Sequence, residues 1–282
     1  MSTARTRPPT TPRAVRNWVN LGGTFTALLF FAASCAALIV TPQGLSPVRG
    51  EGGAGASHFE TASPAAAQLG GHDVEMQVWE QAAGVSAEWA YSGTCPASLV
   101  DRPERGFDGD PEATDGRMFT MDAYFHSPDE ADGRGCTASF DVALPPGTAV
   151  STHADRGSQS VSGLSGSVEV RSESAPMTAT SLTGRLSARS SSGSITGKEL
   201  ETASVEARTA GGDIRLELAE PGDVEVSTGS GNVTLVLPEE ASFRTDIETE
   251  QGGVYSRLED NPEAEDLIEV SSVSGDVTVL RQ

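Results

Sequence analysis

Val224-Glu-Val226-Ser-Thr228-Gly-Ser230-Gly231-Asn232-Val233-Thr-Leu235 is the stretch that decides the fold. Val224, Val226 and Thr228 alternate with outward positions, the period-two pattern of a strand with one buried face. Ser230-Gly231-Asn232 then turns the chain, because glycine takes φ > 0 and an Asx side chain can bond its own backbone. A second short strand, Val233 to Leu237, follows. The unit recurs as Val205-x-Ala207-x-Thr209-x-Gly211-Gly212-Asp213-Ile214-x-Leu216 and as Ile268-x-Val270-x-Ser272-x-Ser274-Gly275-Asp276-Val277-x-Val279. It recurs again as Leu186-x-Ala188-x-Ser190-x-Ser192-Gly193-Ser194-Ile195. Weaker copies are Thr245-x-Ile247-x-Thr249-x-Gln251-Gly252-Gly253-Val254 and Val168-x-Val170-x-Ser172-x-Ser174-Ala175, with a marginal first copy from Val150 to Gly157.

The key glycine, alanine in one copy, falls at 157, 175, 193, 212, 231, 252 and 275, in steps of 18, 18, 19, 19, 21 and 23. A period near 20 is the signature of a solenoid or array. One such unit cannot cover its own apolar face, whereas stacked units put Val on Val and Thr on Thr. Disorder would not hold Val, Thr and Gly in phase through seven copies. The expected fold is all-β, a stacked β-repeat solenoid resembling a parallel β-helix over 150–282. An antiparallel meander of hairpins is the alternative. Gly193, Gly212, Gly231, Gly252 and Gly275, with Asp213, Asn232 and Asp276, are the expected turn residues.

Ahead of the repeats, Val74, Met76 and Val78 alternate with polar residues, as do Val85, Ala87 and Trp89, then Met121, Ala123 and Phe125, then Phe140, Val142 and Leu144. Residues 72–149 therefore read as a small β region, with Asp101 to Gly116 as an acidic excursion loop. Cys95 and Cys136 are the only cysteines outside the apolar N-terminal stretch. An even pair in an oxidising compartment reads as a disulfide, and two separate buried thiols are the other reading.

Charge divides the chain. The net charge is −21, yet residues 1–50 carry five arginines and no acid. Four of those arginines, in a short basic tail over 1–16, precede an uncharged stretch whose apolar centre is Leu21 to Val40. As a helix this centre would span roughly 30 Å, the thickness of a bilayer core, and the arginines would keep the N-terminus cytoplasmic. Residues 17–41 are expected to be a single transmembrane helix, with a cleaved signal peptide or a lipoprotein signal ending at Cys35 as alternatives. Each places the remainder outside the cytoplasm. Residues 42–71, rich in Gly, Ala, Ser and Pro, read as a flexible linker. Within them Gly50 to Gly55 matches a dinucleotide-binding pattern but follows no strand and opens no helix, so it is set aside.

The recurring V-x-V-x-T-x-S-G-D/N-V units resemble a bacterial putative-adhesin family of unknown function, of the membrane-anchored actinobacterial type. Leu144-Pro145-Pro146-Gly147-Thr148 resembles that family's entry motif and Leu237-Pro238-Glu239-Glu240 a recurrent turn. The resemblance runs from Phe140 to Leu280. It implies a β-solenoid at the cell surface, with some members accompanying envelope-stress signalling proteins, and it supplies no catalytic residues.

Few function classes survive. The strongly acidic exterior disfavours nucleic acid. No G-x-S-x-G, H-E-x-x-H, C-x-x-C or Walker A motif is present. His58, His72, His126 and His153 are scattered and read as solvated, and no catalytic residue, cofactor or metal site is expected. A column of Asp213, Asn232 and Asp276 could hold calcium, although turn chemistry accounts for it; the acidic insertion Glu259 to Asp266 reads as a solvated loop. Trp79, Trp89 and Tyr91 could stack on sugars, although core packing accounts for them too. Arg171, Arg189 and Arg208 recur near one repeat step and are read as compensating Glu169, Glu206 and Glu225. The expected role is non-enzymatic: an adhesin-like or scaffolding surface protein, anchored in the cell membrane, whose partner is a cell-wall glycan or a surface protein. Envelope sensing through a membrane partner is the runner-up, and a polysaccharide-active β-helix enzyme the third reading.

Overall fold

The computed structural model describes residues 40–41, 44–45, 52–59, 63–93, 104–107, 118–123 and 136–282. Every regular element among them is a β-strand. Strands β1 (Val40–Thr41) and β2 (Gly44–Leu45) form a small antiparallel pair in one compact unit, residues 1–48; the other unit, residues 49–282, holds everything that follows. The rest of the stretch expected to cross a membrane lies outside the described residues. Among the described residues no helix is long and apolar enough to cross one.

The repeats form coils of two strands each. Strands β10 (Val168–Ser172) and β11 (Met177–Thr180) make one coil, β12 (Leu186–Ser190) and β13 (Ile195–Leu200) the next. Strands β14 (Ser204–Thr209) and β15 (Ile214–Leu218), then β16 (Asp223–Ser230) and β17 (Val233–Leu237), continue the series. From β10 to β15, each strand pairs in parallel with the strand two places on. Val168, Leu186, Val205 and Val224 therefore form one column, and Met177, Ile195, Ile214 and Val233 another. All eight are buried. At about 1.5–3 kcal/mol for each buried Val, Leu, Ile or Met side chain, such columns are what hold the stack. The hairpin meander is excluded by the parallel register.

The parallel ladder extends beyond the repeats. Strand β9 (Ala149–Ser162) runs through a whole coil without a break, pairing Val150 with Val168 and Gln159 with Met177. Strand β4 (Ala66–Glu80) lies along β9 in the same manner, Ala67 on Val150 and Met76 on Gln159. On its far side β4 carries β7 (Met118–Ala123) and β8 (Cys136–Leu144), both parallel to it. The stack thus starts at Ala66, inside the segment expected to be a linker, and takes in strands of the β region expected to precede it. Strand β5 (Val85–Gly93) then pairs antiparallel with β8, β3 (Gly52–Phe59) with β5, and β6 (Glu104–Phe107) with β7. Gly55 of β3 has a packing reason: a Cβ there would come within 2.2 Å of the Trp89 ring.

At the other end, spatial order departs from chain order. The last coil, β20 (Leu267–Ser274) and β21 (Val277–Arg281), pairs directly with β16 and β17. The coil before it in sequence, β18 (Arg244–Gln251) and β19 (Val254–Ser256), sits on the outer edge of β20 and β21. Ile247 pairs with Val270, which pairs with Val226. The C-terminal strands are therefore interior to the stack, with Gln282 N–H bonded to the Leu237 carbonyl at 3.0 Å.

Candidate functional site

The most regular exposed feature is the outer face of the sheet made by β10, β12, β14, β16, β20 and β18. Alternation points every second residue outward. Register then aligns Arg171, Arg189 and Arg208, and beside them Glu206, Glu225, Glu269 and Asp246. Arg171 Nη2 bonds Glu169 at 2.5 Å, Arg189 Nη2 bonds Glu206 at 2.7 Å, and Arg208 bonds Glu206 through Nε at 2.8 Å and Glu225 through Nη2. The arginine ladder compensates the acids, as read from the repeat step. The hydrogen bond from Arg189 holds the Glu206 carboxyl below the usual glutamate range, against an upward push from partial burial.

Past β16 the acids continue but the arginine column ends at Arg208; Arg244, at the start of β18, donates through Nη2 to the Glu265 carbonyl at 3.1 Å. Glu269 and Asp246 follow Glu225 in register, and among the described residues neither has an ion pair. A groove across the face, from β12 to β18, is lined by Arg185, Ser187, Glu206, Glu225, Arg244 and Glu269. Between two further lining residues, Glu265 and Leu267, the pKa of Asp266 is raised, first by burial and then by the charges of Asp223 and Glu265.

The turn residues form two columns between coils. Asp213 Oδ1 accepts the Asn232 N–H at 2.8 Å, Asn232 Oδ1 accepts the Asp276 N–H at 3.0 Å, and Asp276 Oδ1 accepts the Gly253 N–H at 2.8 Å. Turn chemistry is thus their role, directed at the neighbouring coil's backbone and not at their own. The glycines beside them also answer to the neighbouring coil. A Cβ at Gly193 would meet the Ala175 carbonyl oxygen at 2.2 Å, one at Gly212 the Gly193 oxygen at 2.4 Å, and one at Gly252 the Gly275 oxygen at 2.1 Å. Only Gly231 and Gly275 of the five also need positive φ, 147° and 141°. The expectation of positive φ throughout is corrected accordingly: close approach between coils is the shared constraint.

Of the histidines, His58 is exposed and His126 lies outside the described residues. His72 and His153 are not simply solvated. His72 Nδ1 contacts Asp155 Oδ2 at 2.5 Å and His153 Nε2 contacts Asp155 Oδ1 at 3.1 Å, at the corner where β4 lies on β9. His153 and Asp155 are two residues apart on β9, whereas His72 reaches Asp155 because Gly71 pairs with Ala154 and Asp73 with Arg156, a contact that only the β4–β9 register reveals. Among the described residues no group of three His, Cys, Asp or Glu is placed to hold a metal. Trp89 and Tyr91 are core residues, whereas Trp79 is 39% exposed. Cys136 is buried and disulfide-bonded, and Cys95 lies outside the described residues.

Residues 147–280 match the Toastrack DUF4097 family. This covers nearly the whole region where the sequence resembles an adhesin family of unknown function. No curated protein matches the chain. Among solved structures, the chain is similar to a "putative cell adhesion protein" from Clostridium sporogenes, at 11% identity and a TM-score of 0.40, over 82% of this chain and 100% of that one. It is also similar to a "Putative lipid binding protein" from Parabacteroides distasonis, at 10% identity and a TM-score of 0.38, over 82% of this chain and 99% of that one.

Proposed function

We propose that this protein is a non-enzymatic extracytoplasmic scaffold, held at the cell membrane by its N-terminal segment, that presents a rigid repeating face to a surface protein or a cell-wall glycan. The observation that carries this reading is the outer face of the first sheet. Its side chains are set at strand spacing, about 4.8 Å, on a backbone whose coils are locked by buried columns and by the Asx bonds between turns. Such a surface offers complementarity over a large area, and its arginine column is engaged with neighbouring glutamates instead of converging on a reacting atom. Membrane anchorage rests on the uncharged run Leu21 to Val40 behind four arginines.

The test places a photo-crosslinking amino acid at Ser187, Ser227 or Ser271 in the full chain on intact cells. Covalent capture of one glycan or surface protein from these outward positions, and none from the inward position Val226, is the expected result. A membrane signalling protein as the captured partner would move the reading to envelope sensing. Turnover of an acidic polysaccharide by the purified chain would overturn it.

A further inference from the structure

The two ends of the stack are finished differently. At the N-terminal end β8 is covered by β5, and β5 by β3. At the C-terminal end the outermost strands are β18 and β19, and no described strand pairs with their outer edges. Among the described residues cover is found there at the start of β18 and at the residue before it: Thr245 N–H is taken by Asp260 Oδ1 at 2.8 Å, and the Phe243 carbonyl by Asn261 N–H at 3.0 Å. Arg244 N–H points inward, to the Asp266 carbonyl. By the alternation of a parallel ladder, Ile247 and Thr249 direct their N–H and C=O groups to the same side as Thr245, away from β20. On β19, Gly253 and Arg257 face β21 through bonds to Val277 and Val279, so Val254 and Ser256 face outward in turn.

The side chains tell the same story. Val254 continues the buried column of Val233 and Val277, yet it is 45% exposed. Ile247 continues Val226 and Val270 but is only partly buried. On the outward face of β18 Arg244 comes first, its Nη2 bonded to the Glu265 carbonyl at 3.1 Å, and Asp246, Glu248 and Glu250 follow at alternate positions without an ion pair among the described residues. Asp246 ends the very column in which Glu206 and Glu225 are matched by arginines one strand away.

We infer that the β18 edge is a docking site for an extended segment of a partner protein, one with apolar and basic residues in alternation. Main-chain bonds to Ile247 and Thr249 would hold the strand. Its apolar residues would cover Ile247, and its basic ones would face Asp246, Glu248 and Glu250 as cross-strand pairs. A second copy of this chain is disfavoured as the occupant, because it would bring the same acids against themselves. The inference deepens the scaffold reading by naming a site and a partner chemistry.

The test uses the full chain and two capped octapeptides, (Lys-Val)4 and (Glu-Val)4. The expected result is saturable binding of (Lys-Val)4, weakened by salt, with (Glu-Val)4 at least tenfold weaker. Hydrogen exchange at the Ile247 and Thr249 amides slows on binding. E248K should weaken (Lys-Val)4 about tenfold, and I247P should abolish binding without breaking the β18–β20 ladder, since that N–H faces outward; thermal melting of both variants checks the fold. Equal binding of the two peptides, absence of binding, or protection spread over other acidic surface would overturn the proposal. So would a self-associated full chain whose Ile247 amide loses protection on dilution. Crosslinks from Ser187 or Ser227 that survive E248K would leave the scaffold reading standing while this site failed.

Discussion

Asp276 Oδ1 accepts the backbone N–H of Gly253 at 2.8 Å, so a residue in the last coil of the chain supports the turn of a coil that precedes it in sequence and lies outside it in space. The C-terminal coil is inserted between its two predecessors. Its inward residues should therefore matter more than those of the coil before it. Val270 is fully buried between Val226 and Ile247. Val270→Ala should cost about 2 kcal/mol, and Ile247→Ala, at the half-open end, under about half of that. Urea unfolding of the two variants settles the order; an Ile247 variant at least as damaged as the Val270 variant would contradict the insertion.

The glycine column gives a steric prediction. At Gly212 an added methyl meets the backbone oxygen of Gly193 at 2.4 Å, and backbone cannot swing away as a side chain does. Gly212→Ala should cost about 1–3 kcal/mol, the range of an overpacked core. Ala175 holds the same repeat position, so Ala175→Gly should show no comparable loss. Thermal melting of the pair is the check, and a tolerated Gly212→Ala would mean the coils can separate locally.

The Asx column separates hydrogen bonding from metal binding. Asn232→Ala removes the acceptor for the Asp276 N–H and should cost about 1 kcal/mol. Asp213→Asn keeps an oxygen for the Asn232 N–H and should change little. If the column bound calcium, Asp213→Asn would instead be the damaging change, and a calcium titration would raise the melting temperature of the parent but not of that variant.

Strand phase, the turn glycines, the Asx column and the arginine ladder were all legible, because each is a period written into one coil. The arrangement of coils was not. Val205, Val224, Ile268 and Thr245 head nearly equivalent strands, and nothing in a period-two pattern says which copy lies above which. The longer steps from Gly231 to Gly252 and from Gly252 to Gly275, 21 and 23 residues, are the only trace of a chain that has to travel past a coil and return. Strand β4 was half-missed for a related reason: its corner, Gly70-Gly71-His72, lacks the Ser-Gly-Asx turn, so its first half looked like linker. With that strand went the contact of His72 to Asp155, which exists only in the β4–β9 register.

Cys136 opens β8 and is buried in the outermost parallel layer of the N-terminal end. If Cys95 is its partner, Cys95→Ser and Cys136→Ser should each cost roughly 4 kcal/mol, the loop-closure value for about 40 residues. The double variant should cost no more than either. Additive losses would mean that the two cysteines are not bonded to each other.

Two carboxylates should give stability opposite slopes in acid. Glu206 has its folded pKa lowered, chiefly by the hydrogen bond from Arg189. Its contribution is fully present above the ordinary glutamate value of about 4.3 and is lost as pH falls through the lower folded value. Glu206→Gln should therefore be less stable than the parent at neutral pH, with the difference closing in acid. Asp266 has its folded pKa raised, by burial first and by Asp223 and Glu265 next. The unfolded chain then ionises more readily than the folded one, so the charged form destabilises the fold above the raised value. The effect vanishes once pH drops below the ordinary aspartate value of about 3.9. Asp266→Asn should be more stable than the parent at neutral pH, and that gain should disappear in acid. Urea midpoints for the three proteins between pH 3 and pH 7 would show two curves converging on the parent from opposite sides. Convergence from the same side would show that Asp266 is engaged by a cation or a partner group that favours its charged form.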